Sequence, residues 1–338
     1  MSNLNPKIKL NKKENINIDK IYSGLLQGDR FSLGKAITLI ESTKPTHKEM
    51  TKKLISECLK TQKDTLRIGI TGAPGVGKSS LLEKLGMYII EKGFKPAVLA
   101  IDPSSNISGG SILGDKTRMP ELSMSENAFI RPSPAGKNLG GVAKKTNESI
   151  IAVECAGFNP IFVETVGVGQ SETAVHSMTD LFILLIQPGA GDDIQGIKRG
   201  IMEMADIIVV NKADGENIIN AEKTFNQYSG IISLLPEKES GWKTKIMMIS
   251  ALTGNGVKEL WQIITEYENN AKTTGYYRKN RKNQNLSLFN EYLFNNLIEI
   301  FNTDPNLNSL YTETKKKVET GLMSYYDAGD FLLKLLTK

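Results

Sequence analysis

The stretch Gly72-Ala-Pro-Gly-Val-Gly-Lys-Ser79 fits the pattern G-x-x-x-x-G-K-[ST]. It constrains the chain more than any other feature, because the pattern needs a strand before it and a helix after it. Both are legible. Ile68 and Ile70 lie in a short apolar run that reads as a buried strand. Ser79 to Gly86 reads as a helix with Leu81, Leu82 and Leu85 facing inward. Gly72, Gly75 and Gly77 let the backbone turn its N–H groups toward phosphate oxygens, and the helix N-terminus adds its dipole. Ala73, Pro74 and Val76 complete the loop and Ser80 follows it. In such a loop Lys78 reaches the β- and γ-phosphates of a nucleoside triphosphate, and Ser79 holds Mg²⁺. The competing reading is a plain glycine-rich turn, which leaves the order strand, motif, helix unexplained.

The 338 residues exceed what one core usually holds, so two domains, or one domain with large additions, are expected. Hydrophobic content of 40% and charged content of 23% are those of a soluble globular protein. The net charge of +5 comes mostly from lysines scattered among asparagines. That is a solvated surface rather than a nucleic-acid footprint. Cys58 and Cys155 are the only cysteines, which excludes a disulfide framework and suits a reducing compartment. No apolar run reaches the length of a membrane span; the longest, Leu181 to Pro188, is strand-sized. The N-terminus has no apolar signal segment and places Asp and Glu before its first arginine, Arg30. The cytoplasm is the expected compartment, with neither membrane nor nucleic acid as a partner.

Residues 1–17 are polar and rich in Lys and Asn, and read as a disordered tail. Residues 18–64 carry two stretches of helical spacing, Ile18 to Glu41 and His47 to Lys60, and read as an N-terminal helical extension with Cys58 packed in its core. Residues 65–270 alternate strand and helix. Apolar strands are expected at Pro96–Asp102, Pro160–Glu164, Leu181–Ile186, Asp206–Asn211 and Lys245–Ser250, with helices at Glu148–Ala156 and Lys198–Ala205 between them. Continuous apolar strands separated by helices indicate an α/β fold, a mostly parallel sheet covered on both faces. Ligands of such a sheet sit beyond the carboxyl ends of its strands, and Gly72, Asp102, Glu164, Asn211 and Ser250 fall there. Residues 271–338 are helical, with Leu288, Tyr292, Leu293 and Leu297 on one stripe. They are too few for an independent core and are expected to pack on the main domain or on a second copy.

Phosphate binding does not choose a base, but Asn211-Lys-Ala-Asp214 does. The Asp214 carboxylate can accept from guanine N1–H and the 2-amino group. Adenine offers neither donor, and a buried acceptor left unpaired is costly. The Lys212 stem can cover the base and Asn211 can tie this loop to the phosphate loop. Ser250-Ala-Leu252 follows the next strand, where the Ala251 N–H can meet guanine O6. Together these make a GTPase signature.

Acidic groups at two strand ends point to the metal. Asp102 caps its strand, Asp115 follows in Gly109-Gly-Ser-Ile-Leu-Gly-Asp-Lys-Thr117, and Glu164 stands where most GTPases carry an Asp. Beside a triphosphate they favour Mg²⁺, directly or through water; for Asp115 an ordinary turn residue is the alternative. Glu164-Thr-Val-Gly-Val-Gly-Gln-Ser171 suits a γ-phosphate sensor, the Gly167 N–H bonding the phosphate and the loop rearranging when it leaves. Val168 follows Gly167 where Ras-like proteins place a water-orienting Gln, and Gln170 comes two residues later. Intrinsic hydrolysis is therefore expected to be slow and raised by a partner. The loop Pro188 to Gly200 is either a third mobile element, with Asp192 and Lys198 carrying the signal, or an ordinary glycine-rich connection.

Several long segments resemble the methylmalonyl-CoA mutase-associated GTPases of the MeaB/ArgK family, also described as LAO/AO transport-system kinases. They are Ile101-Asp-Pro-Ser-Ser105, Gly109 to Met119, Arg131-Pro-Ser-Pro134, Leu139-Gly-Gly-Val-Ala143, Val163 to Glu172 and Gly196 to Glu203. The likeness runs from about Ile21 to Leu336 and is strongest from Leu66 to Leu252. It implies a P-loop NTPase of the SIMIBI class and a homodimeric GTP-hydrolysing chaperone. Such a protein gates adenosylcobalamin loading into a B12-dependent acyl-CoA mutase, methylmalonyl-CoA mutase foremost, and protects it. It also implies a Mg²⁺ site of Ser79, Asp102, Asp115 and Glu164, a third switch at Gly191 to Lys198 through which the mutase raises hydrolysis, with Lys198 acting beside Lys78, Glu164 and Gly167, and a C-terminal dimerisation arm. The segment Arg131 to Asn138 departs from the family's usual Ser-, Gly- and Thr-rich pattern. Rival functions are a kinase or ATPase tied to transport of lysine, arginine or ornithine, a metal-insertion GTPase, and a scaffold that binds GTP without turnover. His47 and His176 stand near no cysteine in sequence, which speaks against the metal-insertion rival.

Overall fold

The computed structural model describes residues 16–61, 63–102, 118–134, 139–165, 171–189 and 199–336. Its centre is a seven-stranded parallel sheet. In chain order the strands are β1 (Arg67–Gly72), β2 (Ala97–Asp102), β3 (Phe129–Pro134), β4 (Ile161–Thr165), β5 (Leu181–Ile186), β6 (Ile207–Val210) and β7 (Lys245–Met248). In space the order is β3-β2-β4-β1-β5-β6-β7. The phosphate-loop strand β1 is central, with Ile70 opposite Glu164 on one side and Ile183 on the other. Strands β1, β4, β5 and β6 are buried along their whole length, because helices cover both faces.

Alternation along the strands divides the core in two. Ala97, Leu99 and Ile101 of β2 point into a cluster built with the N-terminal helices. Val98 points to the other face, with Ile68 and Ile70 of β1. The first face is covered by α1 (Ile18–Leu26), α2 (Arg30–Glu41), α3 (Pro45–Lys60), α6 (Leu139–Cys155) and α7 (Ser171–Met178). The second is covered by α4 (Lys78–Glu91), the short α5 (Pro120–Met124) and α10 (Val257–Thr273). Near β6, α8 (Arg199–Met204) and α9 (Ile218–Ile232) enclose a third, smaller cluster.

Two departures from the sequence reading have local causes. The stretch from Ile18 to Glu41 is two helices, not one: Gly28 at φ +74 turns the chain and Asp29 caps α2, accepting from Ser32 N at 2.9 Å. Strand β3 was not expected from the Pro-containing segment Arg131–Pro134. It forms because it is an edge. The Phe129 N–H bonds inward to Pro96 O at 3.1 Å, so the outward positions alternate with it and include Pro132 and Pro134, which have no N–H to leave unpaired. The strand expected over Lys245–Ser250 stops at Met248, two residues short of Ser250.

Cys58 and Cys155 are both buried in the core between α3 and α6, with the Thr61 hydroxyl 3.6 Å from Cys155 Sγ. His47 Nδ1 lies 2.8 Å from Ser42 Oγ, and His176 meets the Phe182 ring edge-on at 5.4 Å, so both histidines are bonded locally.

The chain divides into two compact units between Arg278 and Lys279, inside α11 (Tyr276–Thr303). The second unit holds the rest of α11, α12 (Pro305–Glu319) and α13 (Tyr325–Leu336). Asp304 caps α12, accepting from Asn306 N at 2.9 Å and Leu307 N at 3.0 Å, and Phe301 stacks on Tyr311 at 6.0 Å. Leu286, Phe289, Leu293 and Ile300 recur at helical spacing on α11 and are exposed.

Candidate guanine-nucleotide site

The head of β1 turns directly into the loop 73–77 and then α4. Gly77 has φ +96, and a Cβ there would lie 2.4 Å from the Asn211 amide nitrogen, so no other residue fits. Lys78 is buried. Its ammonium donates to Gly72 O at 2.7 Å and Ala73 O at 3.2 Å, curling back over the loop. Burial lowers its pKa below the usual lysine value; the nearby Glu164 carboxylate opposes this and the Arg118 guanidinium adds to it. The ammonium thus waits, partly desolvated, on the carbonyls of its own loop.

Glu164, second from the end of β4, is buried, and Ser79 Oγ donates to its Oε1 at 3.1 Å. One residue further along β4, Thr165 Oγ1 donates to Thr71 Oγ1 at 2.9 Å, pinning β4 to β1 just under the loop. A serine hydroxyl and a carboxylate at this distance are hard oxygen donors, the kind Mg²⁺ takes.

Asn211 lies one residue beyond β6. Its Nδ2 donates to Val76 O at 2.7 Å, and its Oδ1 accepts from Ala251 N at 3.0 Å. One buried amide therefore joins the phosphate loop, the Asn211–Asp214 loop and the Ser250–Leu252 loop. Lys212 adopts φ 61 and reaches Gln187 Oε1 at 3.5 Å. The Ser250 hydroxyl donates to Asp214 Oδ2 and also accepts from Thr253 N at 3.1 Å. Ser250 is fully buried and Ala251 nearly so, while Leu252 is 77% exposed. The fold thus brings Gly72 to Ser80, Glu164, Asn211, Lys212, Asp214, Ser250 and Ala251 to one end of the sheet, from four separate strand ends.

Asp102 ends β2, but its side chain is outside the described residues, as are Asp115, Gly167, Val168, Gln170, Asp192 and Lys198. Sequence reasoning assigned no role to Arg118 or to buried Glu172, although both act electrostatically on Lys78. Arg118 sits in the quoted segment Gly109–Met119, and its charge was the available signal.

The sheet order, the phosphate loop and the Asn211 amide bridge define a nucleotide-binding fold. The family described as "Methylmalonyl Co-A mutase-associated GTPase MeaB" matches residues 33–306 of this chain. The chain belongs to the MeaB family. As a member of the MeaB family it is a GTP-hydrolysing enzyme that binds guanine nucleotide. It is 42% identical over 335 residues to the methylmalonic aciduria type A homolog, mitochondrial, of Mus musculus, spanning 96% of this chain and 81% of that protein. It is 41% identical over 318 residues to a probable GTPase of Mycobacterium tuberculosis, spanning 94% of this chain and 95% of the relative. Among solved structures, that of an LAO/AO transport system kinase matches with a TM-score of 0.75 at 32% identity, over 96% of this chain and 100% of that one. No helix among the described residues is long and apolar enough to cross a membrane.

Proposed function

We propose that this MeaB-family GTPase is a slow molecular timer in the cytoplasm that gates adenosylcobalamin loading into a B12-dependent acyl-CoA mutase, methylmalonyl-CoA mutase foremost, and protects that mutase. The observation that carries the timer is the Asn211 bridge, because it makes base recognition and the phosphate loop one unit. The mutase as partner is supported by the family's description.

In this reading Lys78 exchanges the Gly72 and Ala73 carbonyls for β/γ-phosphate oxygens. Ser79 and Glu164, with Asp102 and Asp115, hold Mg²⁺, which neutralises charge on those oxygens when bound. Asp214 accepts from guanine N1–H and the 2-amino group, held in place by Ser250, and the Ala251 N–H, which donates to Asn211 Oδ1, exchanges that acceptor for guanine O6. Gly167 and Gln170 form the γ-phosphate switch, and Asp192 and Lys198 form the element through which the mutase acts. The working assembly is a homodimer through the exposed apolar face of α11.

The test is single-turnover hydrolysis of GTP and ATP by the isolated chain, with and without a B12-dependent mutase. The expected result is preference for GTP, slow turnover alone, and a rise of about tenfold or more with the mutase. Rapid turnover by the chain alone, unchanged by any such mutase, overturns the timer. The name of the LAO/AO neighbour favours a second reading, a transport-linked kinase; ATP preference with a phosphorylated protein product would establish it.

A further inference from the structure

We propose that Asn217 is a positioning residue of the base site: its side-chain amide holds Lys212 in the left-handed conformation from which the lysine covers the base. The proposal rests on Asn211–Asp214 being the base loop.

Lys212 has φ 61, and among the described residues it is the one non-glycine residue with a positive φ. That region crowds a Cβ, so a lysine stays in it only where neighbouring bonds hold it there. The loop supplies such bonds on both sides. The Asn211 N–H donates to Ile186 O at 2.9 Å, at the end of β5, and the Ala213 N–H donates to Ile249 O at 2.9 Å, just past β7. The chain is thus fastened before and after Lys212. The Lys212 carbonyl itself accepts from Asn217 Nδ2 at 2.9 Å.

A tight turn prepares that reach. Gly215 at φ +52 opens a single 3₁₀ turn, Gly215–Asn217, and the Asn217 N–H closes it onto Asp214 O at 3.0 Å. Asn217 is also the residue before α9, where an Asn side chain commonly accepts from the first N–H groups of the helix. Here it makes no such bond; its amide is turned back to Lys212 instead. The distinction is chemical. The bond to a carbonyl needs a donor, which an amide has and a carboxylate lacks, whereas a cap needs only an acceptor. With its backbone set by Asn217, Lys212 brings its ammonium to 3.5 Å from Gln187 Oε1. A side chain ordered in advance loses less freedom when a base stacks on its stem. Asn217 touches no nucleotide in this arrangement and acts through Lys212.

The experiment measures dissociation of fluorescent GDP and of a fluorescent non-hydrolysable GTP analogue from the full chain and from N217A, N217D, K212G and N217A/K212G. N217A should release both nucleotides about three- to tenfold faster and by the same factor, because covering the base does not involve the γ-phosphate. N217D places an acid at a helix N-terminus, so it should keep the wild-type unfolding midpoint yet release nucleotide at least as fast as N217A. Glycine adopts positive φ without strain, so in the K212G chain the Asn217 change should add less than about twofold. In competition, GTP and inosine triphosphate, which lacks the 2-amino group, should be weakened by N217A to the same extent. A loss confined to GTP would mean that Asn217 acts on Asp214 and would overturn the route through Lys212. K212G tests the underlying site: if it keeps wild-type release, Lys212 does not cover the base and that reading of the loop fails. If K212G releases nucleotide faster while N217A does not, or if the two effects multiply in the double variant, the Asn217 proposal fails alone.

Discussion

Asp214 shows what one carboxylate is set up to do. One of its oxygens is already held by the Ser250 hydroxyl, so the group is aimed before any base arrives. Replacing it by asparagine keeps the shape and the bond from Ser250 but converts one acceptor into a donor. Guanine then meets a donor with its own 2-amino donor, whereas xanthine presents a carbonyl oxygen there. Asp214→Asn should therefore lose GTP and gain xanthosine triphosphate, changing relative affinity by about 10² or more. Competition binding with the two nucleotides reads this directly; an unchanged preference for GTP would remove Asp214 from the base site. At this scale much was legible in the sequence. Gly72–Ser79 and Asn211–Asp214 announce themselves because their chemistry depends on residue type and spacing. The tie from Asn211 to the phosphate loop was anticipated, and Ser79 and Glu164 were expected together at the metal. The second bond of Asn211, from Ala251 N, and the Glu83 contact with Glu121 and Leu122 were not, because both join residues far apart in sequence that only the sheet order brings together.

At the scale of elements, β1 is fixed at both ends. Its head carries the phosphate loop. At its foot the buried Arg67 guanidinium bonds Glu154 of α6 through Nε at 2.7 Å and NH2 at 2.8 Å. The Arg67 backbone N–H is accepted by Asp180 at 2.9 Å. An ion pair this deeply buried is costly to break from one side, because the remaining charge has no water. Arg67→Leu or Glu154→Leu alone should lower stability by about 3–5 kcal/mol, while the double substitution should cost far less than their sum. Urea unfolding of the three variants measures this, and a fully additive double mutant would count against the ion pair as the cause. The strands with unbroken apolar runs, such as Leu181–Ile186, were readable, because burial on both faces leaves no other composition. β3 was not, since Pro132 and Pro134 are tolerable only at a sheet edge, and edges are set by topology. The break at Gly28 was visible in composition but not in periodicity, because the apolar spacing continues on both sides of it.

At the scale of the whole molecule, the two units differ in how they treat apolar side chains. The first buries most of them between sheet and helices. The second leaves Leu286, Phe289, Leu293, Phe294 and Ile298 exposed in the single chain. An apolar stripe of that size is what a second copy would cover. Phe289→Glu combined with Phe294→Glu should convert a dimer into a monomer in sedimentation, with GTP binding retained. A wild-type chain that sediments as a monomer at micromolar concentration would refute the dimer. Sequence spacing revealed the helices of this unit but not its boundary, which falls inside the continuous α11 and leaves no linker to read. That boundary has a further consequence. The Tyr277 hydroxyl donates to Thr65 O at 2.7 Å, so the first turn of α11 is fastened to the foot of β1, on the near side of the division. A graft that starts after Arg278 should keep the strand carrying the phosphate loop moored through Tyr277. One that starts before Tyr277 should remove that bond, so the choice between the two lies within a single turn of helix.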